Sequence, residues 1–403
     1  MSYSSGEIMQ FIEEEDVKFI RLAFCDIFGR QKNVSIMPAE IERAFRDGIA
    51  IDGSAIDGFD IGSHSDLFLH PDPSTITVLP WRPEHGRVVR MFCDITYPDG
   101  KPFEADTRSI LKKAVSDAES EGISFAFGSE MEFFLFKTDE NGLATNVPYD
   151  TAGYMDIAPS DKGENIRREI CLTLEQMGII PESSHHEEGP GQNEIDFRYS
   201  DPLTAADNAV TFCSVVKTIS ARNGLFADFS PKPISGKPGN GFHINISAKS
   251  RDKSELLPHI IAGILEKICE MTAFLNISSK SYERLGSEKA PKYLTWSSEN
   301  RSQLIRIPAA VGKYKRAELR SPDPLANPYL AYALLIYAGL YGIKNKLSLP
   351  EPADINLYSA PAKLLAGYRT LPASLSEAKK IASQSSFISE HLDPAVIKAY
   401  CLG

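Results

Sequence analysis

An α+β fold is what this 403-residue sequence predicts. Strand-like and helical segments alternate irregularly beyond residue 123, and the first hundred residues are short β-like runs broken by one helical segment. No fixed-period repeat is visible, which argues against a solenoid. The first domain is expected over residues 1–100 and the second over 101–403, because YPDGKPFEADTR is rich in turn formers.

Taken in order, VKFIRLAFCDIFG, KNVSIM, STITVLPW and RVVRMFCDITYPDG read as strands with turns, and PAEIERAFRDG as the helix among them. Ile110, Leu111, Ala114, Val115 and Ala118 then recur at helical spacing, with Gly122 as the stop. ISFAFGSEMEFFLF, GQNEIDFRY, FADFSPKP and NGFHINIS read as strands, and ENIRREICLTLEQMG and LLPHIIAGILEKICEMTAFL as helices. YLAYALLIYAGLYGI (329–343) is too short to span a bilayer comfortably and reads as a buried helix, with Asn327 as N-cap and Pro328 in its first turn.

An apolar content of 42% and a charged content of 24% describe an ordinary globular chain. The net charge of −11 argues against a nucleic-acid partner. No secretory signal or membrane span is visible, and six scattered cysteines without a CxxC pair suit free thiols in a reducing cytoplasm.

Chemistry concentrates in acidic residues. In GSEMEFFLF, Glu130 and Glu132 share one face of a strand, with Cα atoms about 6.5 Å apart. Either that face meets solvent or cations compensate the paired charge. HHEEGPGQNEIDFRY adds Glu187, Glu188 and Glu194 about a Gly-Pro-Gly turn, NGFHINIS adds His243, and KYKRAELR adds Glu318 between Arg316 and Arg320. Taken singly, His243 reads as a packed strand histidine and KYKRAELR as a solvated face. Together, oxygen-rich donors with one imidazole favour Mg²⁺ or Mn²⁺ over zinc, and the arginines at 284, 301, 306, 316 and 320 suit phosphoryl oxygens. No Walker A or GxGxxG sequence is present.

The ordered set IDGSAIDGF, SDLFLHPDPSTITVLPW, GSEMEFFLF, SHHEEGPGQNEIDFRYSDPLTAADN, SPKPISGKPGNGFHINIS, NRSQLIRIP and AELRSPDPLANPYLAYALLIYAGL resembles the type I glutamine synthetase family over nearly the whole chain. The resemblance implies an N-terminal β-grasp domain, then a catalytic domain with a curved antiparallel sheet and helices. It also implies a cytoplasmic homo-oligomer, a dodecamer of two stacked hexamers with active sites between subunits. ATP, glutamate and ammonium are the implied substrates, with two to three Mg²⁺ or Mn²⁺ ions. Glu132, Glu187 and Glu194 resemble ligands of one metal, and Glu130, His243 and Glu318 those of a second. Gly239, Arg284 and Arg320 resemble a glutamate clamp, and Arg301 and Arg306 phosphate contacts. Glu182, Tyr199, Asn245, Ser247, Lys313 and Arg316 align with nucleotide contacts, Asn245 replacing the family's more familiar histidine. Asp52, from a neighbouring subunit, is the implied base for ammonium, with Tyr154 and Glu187 completing its site.

The flap departs from the family pattern. The family usually reads RLVPGYEAP, whereas this chain reads RLGSEKAP (284–291). The favoured reading is a re-registered flap in which Glu288 serves and Lys289 faces solvent. Ala55 stands where a serine often follows DGS, and Tyr358 stands where some members are adenylylated. The expected reaction is ligation of ammonia to glutamate through a γ-glutamyl phosphate. The alternatives are ligation of an organic amine, such as a polyamine or ethanolamine, and a non-catalytic regulatory relative.

Overall fold

Ile8 and Ile12, one helical turn apart, bury the inner face of a first helix, Ser5–Glu14 (α1), which the sequence reading had not anticipated. The structure is a computed structural model describing residues 5–59, 61–62, 64–252, 254–287, 289–309 and 315–402. The strands Val17–Cys25 (β1), Gln31–Ile36 (β2), Ile49–Asp52 (β3), Asp66–Pro71 (β4), Thr77–Val78 (β5) and Arg87–Thr96 (β6) form the first sheet. Its order is β2-β1-β6-β4-β3, with β1 and β6 parallel and β5 paired to β6. The helix Ile41–Asp47 (α2) follows a 3₁₀ turn begun by Pro38 and ends at Gly48, whose φ of 76° admits no side chain cheaply. STITVLPW contributes only two strand residues, since proline and the following turn leave no room for a longer ladder.

Thr107–Ser120 (α3), capped by Asp106, leads into the second sheet. Its strands are Ile123–Thr138 (β7), Ala144–Pro148 (β8), Pro181–His186 (β9), Gln192–Ser200 (β10), Leu225–Asp228 (β11), Phe242–Ser250 (β12), Trp296–Ser298 (β13), Ile305–Ile307 (β14) and Ala317–Leu319 (β15). The order is β13-β14-β15-β12-β7-β10-β9; all its pairings are antiparallel except β13 with β14, and β8 and β11 flank the far half of β7. FADFSPKP is strand only in its first half, because its prolines donate no ladder hydrogen bonds.

Four longer helices back this sheet or pack on those that do: Glu164–Gln176 (α4), Pro202–Arg222 (α5), Leu257–Leu275 (α6) and Pro328–Lys344 (α8), with the short Ser279–Arg284 (α7) before the flap. α8 is apolar on all sides and buried, and the Asn327 side chain accepts from Tyr329 N at its start, as the sequence predicts. It crosses α6 where Gly263 meets Gly342; a Cβ on Gly342 would come within 2.0 Å of His259 O. Beneath β7, the Tyr332 ring stacks on Phe127 at 4.4 Å and its hydroxyl bonds Ser129 Oγ. The odd residues of β7 therefore meet the helices, and its even residues open the opposite face.

Between the two sheets, buried Arg108 holds Asp72, Asp94 and Asp207 at 2.9–3.0 Å. Tyr329 donates to the same Asp207 at 2.6 Å, and Asn327 Nδ2 donates to Ile27 O. All six cysteines are free. Among the described residues, no helix is long and apolar enough to cross a membrane.

Candidate active site

The even face of β7 carries Glu130 and Glu132, and strand register extends it into a row. Glu194 lies directly opposite Glu132, and Asp196 opposite Glu130. On the other side His243 is opposite Glu130, Asn245 is opposite Glu318, and Glu318 is opposite Arg306. Directly opposed residues share a face, so backbone pairing alone gathers these side chains.

Glu130, His243 and Glu318 each bring a donor atom within 4.8 Å of the others, as do His185, Glu187 and Glu194, and Glu130, Glu194 and Asp196. His243 Nδ1 is 3.4 Å from Glu130 Oε2 and 3.8 Å from Glu318 Oε1. Glu132 is tied differently. One of its oxygens accepts from Gln192 Nε2 and Gly241 N, both at 2.9 Å, beside Glu187 and Glu194 rather than inside their closest cluster. His185 and Asp196 were missed in the sequence. Asp196 follows Glu194 by the same two-residue step that links Glu130 and Glu132, so the signal was present.

The electrostatics of the row are unbalanced. Burial raises the Glu132 carboxyl, and Glu187 adds to the rise against the opposing charges of His243 and Arg284. Burial and then four neighbouring carboxylates, led by Glu132, push Glu194 well up. Burial and the Glu130 charge take Asp196 to about 6. At Glu130 burial is outweighed by the hydrogen bond and charge of His243 and by Asn245, which lower it to about 2. Asn245 Nδ2 donates to Glu130 Oε1 at 2.7 Å while Asn245 Oδ1 accepts from Arg316 Nε at 2.8 Å. The residue that departs from the usual histidine thus bridges the metal-type cluster to an arginine.

Cations border the row. Arg320 Nε donates to Glu318 Oε1 at 3.1 Å, its Nη1 reaches Arg301 O, and Arg284 is buried with Nη1 on Ser321 O. Arg306 Nε lies 3.0 Å from Glu318 Oε2 without hydrogen-bond geometry. Among the described residues, that oxygen and Arg306 Nε and Nη1 are therefore buried without hydrogen-bond partners. A carboxylate oxygen held only by an ill-aligned ion pair among hard donors fits a divalent cation, and the remaining Arg306 Nη1 donor fits a phosphoryl oxygen. Gly239 packs where a Cβ would meet Pro231 O at 2.2 Å, so its backbone lies flush beside Arg284.

Tyr154 sits edge-on to His185 at 5.4 Å, on a loop that a buried latch holds. In that latch His186 donates to Asp150 Oδ1 at 2.9 Å, Gly191 N donates to the same oxygen, and Arg167 pairs with Asp161 and Asn193. Asp150, Asp161 and His186 also have the spacing of metal ligands. Arg167 already supplies the cation there, so the cluster is closed.

Other expected residues lie at the edges. Glu182 and Tyr199 are exposed, with Glu182 3.9 Å from Arg198, and Ser247 continues the His243–Asn245 face. The Arg301 side chain is exposed. Asp52 ends an edge strand of the first sheet and accepts from Ser54, which with Ser65 holds its carboxyl below the usual range; these contacts do not bring it to the row. Glu288 and Lys313 lie outside the described residues. Lys289 is exposed, as expected, and its side chain also reaches the pocket. It lines the pocket with Glu132, Glu187 and Arg284, and its Nζ is 2.9 Å from Glu188 Oε1. Its backbone adopts φ 65°, and its half-exposed side chain extends to Glu188.

An antiparallel sheet with clustered carboxylates, two imidazoles and bordering arginines defines the class of enzyme that moves phosphoryl groups with oxygen-bound divalent ions. The family model described as "Glutamine synthetase, catalytic domain" matches residues 104–402, and "Glutamine synthetase, beta-Grasp domain" matches residues 16–98. The chain belongs to the glutamine synthetase family. It is 45% identical to a glutamine synthetase of Clostridium saccharobutylicum, covering 100% of this chain and 94% of that protein. It is also 45% identical to one of Methanosarcina mazei, covering 98% and 92%. Among solved structures, a GmaS/ADP complex superposes with TM-score 0.89 at 28% identity, covering 100% of this chain and 94% of that one.

Proposed function

We infer that this chain is an ATP-dependent glutamate–ammonia ligase, joining ammonia to the γ-carboxylate of L-glutamate with release of ADP and phosphate. The observation that carries the reading is the carboxylate row, an excess of buried negative charge beside Arg306, whose Nη1 has no hydrogen-bond partner among the described residues. Glu130, His243 and Glu318 would hold one divalent ion, and Glu132, Glu187 and Glu194 another. When bound, such ions neutralise phosphoryl oxygens and orient them. Magnesium and manganese both suit the donor set.

Arg284, Arg320 and the Gly239 backbone orient glutamate. Arg306 and Arg301 contact the γ-phosphoryl oxygens of ATP, so that the γ-carboxylate of glutamate attacks phosphorus, ADP leaves and a γ-glutamyl phosphate forms. Glu182, Tyr199, Asn245, Ser247, Lys313 and Arg316 border the nucleotide. Ammonium collects against Glu187 and Tyr154 and loses its proton to a carboxylate, for which Asp52 of a neighbouring copy and the flap Glu288 are the candidates. Ammonia then displaces phosphate. The division near residue 100, a cytoplasmic setting and a dodecamer of stacked hexamers complete the proposal; particle masses by mass photometry separate six copies from twelve. GmaS neighbours at 28% identity support the organic-amine alternative less than the 45% relatives support ammonia.

The test is phosphate release from ATP with glutamate and Mg²⁺ or Mn²⁺, with and without ammonium, and chromatographic detection of glutamine. Ammonium-dependent release with glutamine formed is expected. No dependence on ammonium would overturn the reading.

A further inference from the structure

The glutamate pocket is lined by three carboxylates, Glu132, Glu187 and Glu188, and by three cations, Arg284, Arg320 and Lys289. Two of these cations are committed to the pocket wall. Arg284 donates to the carbonyls of Ser321 and Arg320, and Arg320 pairs with Glu318. Lys289 stands near the end of the flap, and its partner Glu188 is the residue after the ligand-type Glu187. The Glu188 backbone N–H donates to Glu187 Oε2 at 3.0 Å, which anchors the Glu187 carboxylate, whereas the Glu188 carboxylate meets Lys289. The flap is held closed against the body a second time, because Lys232 Nζ lies 3.2 Å from Ser287 Oγ. Removing the Lys289 charge therefore leaves an uncompensated Glu188 carboxylate beside Glu187 without freeing the flap.

Charge at this mouth matters because ammonium arrives as a cation. Attraction by carboxylates concentrates it, and a fixed cation opposes it. The Lys289 charge also reaches Tyr154, which stands next to Glu187. We propose that Lys289 tunes acceptor affinity: by neutralising Glu188, it sets how strongly the pocket draws in a cationic acceptor. The proposal rests on the ligase reading above and adds a signed charge balance to it.

Steady-state kinetics at fixed pH and ionic strength test the balance. Lys289→Gln is expected to lower the KM for ammonium several-fold, on the order of tenfold at low salt, with kcat and the KM for ATP changed far less. Glu188→Gln is expected to raise the ammonium KM. The double variant Lys289→Gln/Glu188→Gln returns close to wild type, and Lys289→Arg stays there. Salt at 0.5 M shrinks the effect of Lys289→Gln.

If both single variants lower kcat together without moving the ammonium KM, the pair is only a flap fastening and the proposal is overturned. A higher ammonium KM in Lys289→Gln overturns it as well. Wild-type enzyme without ammonium-dependent phosphate release would sink the ligase reading itself. A fully active wild type with the wrong order of variants sinks only the role of Lys289. Because Lys289 is half exposed, its substitutions are expected to fold, and Lys289→Met provides a second neutral variant.

Discussion

Two clusters of buried charge lie within this chain and behave in opposite ways. Around Arg108, three carboxylates converge on one guanidinium, Lys112 adds a second cation to Asp94, and Tyr329 completes Asp207. On the even face of β7, Glu130, Glu132, Glu187, Glu194 and Asp196 face one another with the imidazoles of His185 and His243 among them, and Glu318 Oε2 meets Arg306 without hydrogen-bond geometry. The first cluster is closed, every charge answered from within the chain. The second needs a cation from outside. Buried charge is costly unless paired, so a fold tolerates the second arrangement where a ligand supplies the balance.

Three experiments break or sharpen that contrast. The largest effect is expected for Glu194→Gln, which removes a carboxylate crowded by four others. Turnover falls by roughly 10²–10³-fold or more, as for loss of a group that stabilises transferred charge, while the metal-free protein melts higher than wild type. Activity assays beside thermal denaturation read both; a metal-free form destabilised as strongly as it is inactivated would show that the row is structural.

Arg108→Met should invert the pattern. It strands Asp72, Asp94 and Asp207 together and costs about 3–5 kcal/mol, the usual penalty for breaking a buried pair from one side. Denaturant unfolding measures that loss, and the kcat of the folded fraction should move far less.

The smallest effect is a pH dependence. Burial and like charge raise Glu132, Glu194 and Asp196, the last to about 6, above their unfolded values. Their ionisation therefore opposes folding. The metal-free protein keeps its full stability below about pH 4 in respect of these groups and loses it as pH rises through about 6. Mg²⁺ or Mn²⁺ should accordingly raise Tm more at pH 7.5 than at pH 5.5. An equal shift at both would contradict the sign.

Much of this was legible because local rules decided it. Two-residue alternation placed Glu130 and Glu132 on one face, and an Asn-Pro pair announced the start of α8. The same Asp-Pro signal stands before α5, where Asp201 caps the helix, yet DPLTAADNAV went unread because its apolar residues follow no single face. Register was beyond sequence: that Asp196 opposes Glu130 and His185 opposes Glu194 depends on how three strands align. The reach of exposed Lys289 to Glu188 was also beyond sequence, since it depends on how the flap lies against the β9–β10 connection.

The crossing of α6 and α8 has a consequence far from its own position. Gly263 and Gly342 let two main chains touch, and α8 in turn carries Tyr332, the support under Phe127, Ser129 and Phe242. One methyl group at either glycine would wedge the helices apart and tilt the floor on which Glu130 and His243 stand. A lesion with no charge and no substrate contact would then read out as lost chemistry: the two smallest residues in the interior act as the levelling screws of the catalytic bench.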